Sequence, residues 1–102
     1  MKNPKTEAKR QAKRQAKALI DRAGLRYTRE MAREAKGEGD TDLIRMLATD
    51  LETTVIFAGL VIKGKWQDAY LSLREMDTEP REMIPQSLIN RVARLVEGHS
   101  VV

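Results

Sequence analysis

Apolar positions recur at helical spacing over most of the chain. Ile44, Leu47, Leu51, Val55, Ala58 and Ile62 follow at steps of three or four residues, which is one face of a helix. This spacing predicts a helix over 41–63, capped by Asp40 or Thr41 and ended at Gly64. At 1.5 Å per residue it would run about 34 Å, long enough to be the backbone of a small domain. Thr53–Ile62 is also rich in strand formers. Helix is the preferred assignment, because the same face begins earlier, among poor strand formers. Trp66, Tyr70, Leu73 and Met76 continue the pattern and predict a helix over 65–77. Thr78 and Pro80 open a last helical region that Pro85 restarts or kinks by removing a donor. There Leu88, Ile89, Val92, Leu95 and Val96 form an apolar face that reaches Glu97 and stops at Gly98.

The first third of the chain is patterned differently. Asn3-Pro4 is a helix start and Gly24 follows Ala23 as a stop, which predicts a first helix over 4–23. Its apolar residues, Leu19, Ile20 and Ala23, come only in its last turns. Thr28 is placed to cap a short helix over 29–36, closed by Gly37, and Gly37-Glu38-Gly39-Asp40 reads as a loop. Within the first helix a unit repeats: Ala8-Lys9-Arg10-Gln11, Ala12-Lys13-Arg14-Gln15, then Ala16-Lys17. A four-residue period nearly matches a helical turn, so Lys9, Lys13 and Lys17 form one stripe with Arg10 and Arg14 beside it. Ala, Lys, Arg and Gln are strong helix formers, but like charges one turn apart repel and oppose the macrodipole. The expectation is a helix that frays alone and is ordered by phosphates. The whole reads as an all-α bundle of four to five helices with a basic N-terminal helical arm. Residues 1–17 are the arm, 18–98 the bundle and 99–102 a tail.

Composition narrows the chemistry. At 102 residues the chain suits one domain, with 41% hydrophobic and 33% charged residues as in a globular protein. Aromatics at 4% argue against a sandwich or barrel. Without cysteine there is no disulfide, thiolate or cysteine–zinc chemistry, and the one histidine, His99, lies in a polar tail where solvation is expected. The longest apolar run, Val55–Ile62, has 8 residues, whereas a bilayer span needs about 20. No apolar segment of signal-peptide type follows the basic N-terminus, so no membrane association and a cytoplasmic location are expected.

Charge divides the chain. Residues 1–36 hold twelve Lys or Arg against four Asp or Glu, a net +8, while residues 37–102 hold seven against eleven, a net −4. Before the first large apolar residues, Lys2, Lys5, Lys9, Arg10, Lys13, Arg14 and Lys17 face only Glu7. A basic segment joined to an acidic body points to an anionic partner. Ala23-Gly24-Leu25 resembles the turn of a helix-turn-helix reader, with Arg26, Arg29 and Arg33 on the helix that follows. Glu30 and Arg33 fall where that motif requires apolar residues, and Ile20 where it requires a small one, so an ordinary helical corner is preferred.

The sequence thus predicts a non-enzymatic, regulatory or accessory nucleic-acid-binding protein, for DNA or RNA, without a cofactor. Lys9, Arg10, Lys13, Arg14, Lys17, Arg26, Arg29 and Arg33 would contact phosphates, and Tyr27 would stack on an exposed base. The rival expectation is a protein-interaction module, of adaptor, inhibitor or antitoxin type, acting through the acidic body with Trp66 and Tyr70 as partner-facing anchors. A homodimer would cover surplus apolar surface and present two arms. Asp40 and Asp42 could be offered to a divalent cation, but two carboxylates lack a spaced third ligand, and a helix cap explains them.

Overall fold

A computed structural model describes the backbone of residues 4–100 and the side chains of residues 4–97; Lys2, the Asn3 cap and the His99 side chain lie outside these. The described chain is all helical: α1 (Pro4–Lys36), α2 (Thr41–Ile62), α3 (Trp66–Glu75), α4 (Thr78–Glu82) and α5 (Gln86–Ser100). Helix is therefore the outcome at Thr53–Ile62. At 1.5 Å per residue the 33 residues of α1 span about 50 Å, nearly the whole 55 Å long axis of the molecule.

The stop expected at Gly24 is not there, and neither are the corner and the separate helix over 29–36. One helix runs from Pro4 to Lys36, with Gly24 and Thr28 in its interior. The cause lies in its buried stripe, Ala12, Ala16, Leu19, Ala23 and Tyr27, at steps of four, three, four and four. This stripe crosses Gly24 without a change of phase. A mid-helix glycine costs about 1 kcal/mol against alanine, less than packing on either side of it returns. A Cβ added at Gly24 would meet nothing within 4 Å. Gly24→Ala is thus expected to stabilise the fold by about 0.5–1 kcal/mol, read from thermal melts. A loss of stability would show that the chain bends there.

The repeat also changes meaning. Its alanine column, Ala8-Ala12-Ala16, is the packing seam of the first half of α1. Ala12 and Ala16 are fully buried with Leu19, Phe57, Ala58 and Val61, and Ala8 packs against that core. Small side chains let helices approach closely, and α5 is tied to the same turn by hydrogen bonds. Gln15 Nε2 donates to Ser87 Oγ at 2.8 Å and Arg91 Nη1 donates to Gln15 Oε1 at 2.6 Å. Residues 4–17 are therefore built into the bundle, not appended to it as a frayed segment.

α2 returns antiparallel to α1. Asp40 caps it, its carboxylate accepting from the Asp42 and Leu43 amides at 3.0 and 3.2 Å. Its buried face is Leu47, Asp50, Thr54, Phe57, Ala58 and Val61, rotated from the face expected around Val55, which is 38% exposed. Phe57, the largest fully buried side chain, sets that rotation. Gly64, at φ +75°, makes the left-handed turn into α3. α5 runs through Gly98 to Ser100, so Gly98 is not the stop and the helix includes the first two residues of the expected tail. The main core gathers α1, α2, α3 and α5, including Trp66, Leu73, Leu88 and Val92. A second cluster of Ala23, Tyr27 and Leu47, with Met31, Leu43, Leu51 and Met83 against it, joins the far half of α1 to α2 and to the end of α4.

Candidate nucleic-acid interface

Because the far half of α1 is packed mainly along its α2 side, the opposite side is left to solvent. Arg22, Arg26, Arg29, Arg33 and Lys36 are exposed there, at steps of four, three, four and three. At 100° per residue these five fall within about 80° of the helix circumference, a straight row parallel to the axis. Arg22, Arg26, Arg29 and Arg33 line a shallow cleft of about 310 Å³ with Leu25 and Glu30. Arg22 and Lys36 were not among the candidates from the sequence. Their heptad-like spacing from Arg29 was the available signal, and it was hidden by treating Gly24 as a break.

In the near half, Arg10, Lys13, Arg14 and Lys17 are exposed and Lys9 is half-buried. They share a helix with the arginine row but occupy a different arc of it, with Arg10 and Arg14 leading toward Arg22. Lys9 and Arg33 are separated by about 36 Å along the axis. Neutralisation by the acidic body would remove the reason for an anionic partner. Among the described residues Lys9, Lys13, Arg14, Lys17, Arg22, Arg29 and Arg33 make no ion pair. Arg10 and Arg26 pair within α1 itself, with Glu7 at 3.8 Å and Glu30 at 3.3 Å. Both pairs are largely exposed and are worth little in stability.

Three aromatic assignments change. Tyr27 is 4% exposed, packed with Ala23 and Leu47, so its ring face is not available to a base. Its position on the buried stripe of α1 is the reason. Trp66 is 3% exposed and belongs to the main core, at the start of α3, which packs on α2 and α5. Tyr70 is half-buried and packs against the same core. Trp66 and Tyr70 are thus structural residues of the bundle, not an exposed anchor pair. Asp40 spends its carboxylate on the cap of α2, and among the described residues no three or more His, Asp or Glu are grouped to hold a metal ion. No described helix is long and apolar enough to cross a membrane.

Asp50 was not among the candidates from the sequence. It lies on the core face of α2, 6% exposed, and no hydrogen bond or ion pair reaches its carboxylate among the described residues. Burial, reinforced by Glu79 and Asp77, pushes its carboxyl above the ordinary aspartate range. Tyr27 faces it from α1, and its hydroxyl is raised by burial and then by Asp50. A raised carboxyl favours the protonated fold, so the stability it contributes is present below the unfolded value, about pH 4. That contribution is lost as pH rises through the raised native value. Asp50→Asn is therefore expected to raise the melting temperature at pH 7 and to change nothing near pH 2.5. Equal melting at both pH values would refute a cost of burying this charge.

No protein-family model, curated protein or solved structure matches the chain. The geometry of α1 therefore carries the functional argument alone.

Proposed function

We propose that this chain is a small, non-enzymatic nucleic-acid-binding protein that lays one straight basic helix along the phosphate backbone. The observation that carries this reading is that exposed cations run the length of α1, in an arginine row over its far half and on other arcs over its near half, with few carboxylates pairing them. Arg10, Arg14, Arg22, Arg26, Arg29 and Arg33 supply planar donors suited to phosphate oxygens, and Lys9, Lys13 and Lys17 supply point charges on another side of the near half. Neutralising several phosphates releases condensed counterions, which makes affinity fall steeply with salt. Packing of Ala12, Ala16, Leu19, Ala23 and Tyr27 holds the charges in one rigid register, so little ordering entropy remains at binding. The proposal does not use a helical corner or aromatic stacking.

A salt titration with mixed-sequence DNA duplex and with single-stranded RNA tests it. Log Kobs is expected to fall linearly with log salt, with a slope of about −4 or steeper on duplex. No binding to either at low salt would end this reading.

A second reading, a protein-interaction module acting through the body, draws on the outer face of α2. Met46, Val55 and Ile56 are 51%, 38% and 52% exposed there. Thr49 and Thr53 turn their hydroxyls back to the Arg45 and Thr49 carbonyls at 3.0 and 2.8 Å, leaving methyl groups outward. Met46, Thr49, Thr53 and Ile56 then form an uncharged ridge at steps of three, four and three, the spacing of a helix-pairing seam.

A further inference from the structure

A carboxylate that is almost wholly enclosed yet opens to solvent only through one cleft is placed to receive a partner there, and no described side-chain oxygen is sealed off without one. Asp50 is such a group, 6% exposed and without a hydrogen bond or ion pair among the described residues. It lines a cleft of about 310 Å³ between α2 and the start of α4, together with Asp77, Glu79, Met46 and Pro80. Asp77 and Glu79 add two exposed carboxylates at the rim, and no described basic side chain lines the cleft. Met46 and Pro80 give it apolar walls. Three acids are not grouped closely enough for a metal ion. A planar cation on an apolar stem fits better, since its stem lies on Met46 and Pro80 while its fork reaches the carboxylates.

We propose that this cleft is a receptor for a guanidinium side chain, and that a second copy of this chain supplies it from the exposed arginine row of α1. The occupant follows from charge. Arg22, Arg29 and Arg33 are exposed and unpaired, and the +8 and −4 parts of one copy complement those of another. The cleft and the arginine row are different surfaces, so each copy is donor and acceptor at once. The acceptor cleft lies outside α1, but its donors are arginines that the nucleic-acid reading also uses, so Asp50→Asn and Glu79→Gln, which leave α1 unchanged, separate the two.

Sedimentation velocity on the full chain tests it. Concentration-dependent self-association is expected at 25 mM salt and is lost at 300 mM. Asp50→Asn, and separately the exposed Glu79→Gln, are expected to weaken it about tenfold or more, with folding checked by circular dichroism. An arginine variant, with Arg22, Arg29 and Arg33 changed to glutamine, is expected not to self-associate. Mixed with the Asp50→Asn chain it is expected to form a hetero-pair, since one still accepts and the other still donates. A monomer at low salt, or association untouched by Asp50→Asn and Glu79→Gln, would overturn the proposal. A hexa-arginine peptide shifting the amide signals of Asp50, Asp77 and Glu79 in a chain that stays monomeric would overturn the second copy as its source.

Discussion

Changing Lys9, Arg10, Lys13 and Arg14 together to glutamine is expected to weaken duplex binding by about two to three orders of magnitude near 0.1 M salt. The estimate follows from counterion release, in which each lost phosphate contact removes about 0.9 from the salt slope. Four lost contacts would flatten the slope by about 3 to 4. None of the four side chains is in the buried stripe, and glutamine is a good helix former, so the fold is expected to remain. Changing Arg22, Arg26, Arg29 and Arg33 to glutamine is expected to give a comparable loss, because those charges continue the exposed Arg10 and Arg14 along the same helix. Both losses together would mean that nucleic acid spans α1. A loss confined to the first set would restrict binding to the near half of the helix, and a loss in neither would remove α1 from the interface.

The largest effect on stability is expected at Phe57. This side chain is fully buried at the centre of the α2 face, within the core that also holds Ala12, Ala16 and Leu19 of α1. Phe57→Ala is expected to cost about 3–5 kcal/mol, the sum of lost transfer energy and an unfilled cavity. Alanines cannot move to fill such a space, so the seam between α1 and α2 would collapse poorly. For a domain of this size that is a large share of a total of about 5–15 kcal/mol. The variant is therefore expected to melt far below the parent in urea or heat, with the basic helix losing protection from hydrogen exchange first over residues 8–19. A change under 1 kcal/mol would show that α2 is not packed through Phe57.

The fold class was legible because α2, α3 and α5 carry large apolar residues at helical spacing, and their ends are marked by Asp40, Gly64 and Pro85. What the sequence obscured was α1. Its seam is made of Ala12, Ala16 and Ala23, which contribute little to hydrophobic periodicity, while Gly24 carries the signature of a stop. Tertiary packing overrode the local preference of that one residue. The same glycine masks the arginine row, since Arg22 falls on one side of Gly24 and Arg26 on the other. Tyr27 and Trp66 were misplaced for a related reason: an aromatic near cations in sequence need not share their helix face. Asp50 was legible in principle, three residues after Leu47 and seven before Phe57 on what became the core face. A carboxylate at such a position is an anomaly only once the rotation of α2 is known.

The seam and the charges lie on different faces of one helix, and this links the fold to the proposed function. Alanine packing fixes the orientation of α1, and that orientation leaves Lys13, Arg14, Lys17, Arg22, Arg29 and Arg33 exposed and without an ion pair among the described residues. The most direct measurement is a titration of mixed-sequence DNA duplex into nitrogen-15-labelled protein, followed through backbone amides and arginine Nε–H signals. Shifts are expected along the exposed side of α1, from Arg10 to Lys36, and at the Nε–H groups of Arg22, Arg29 and Arg33, with Trp66 and Leu88 unmoved. Shifts concentrated on α3 and α5, with the arginine signals of α1 silent, would contradict the account.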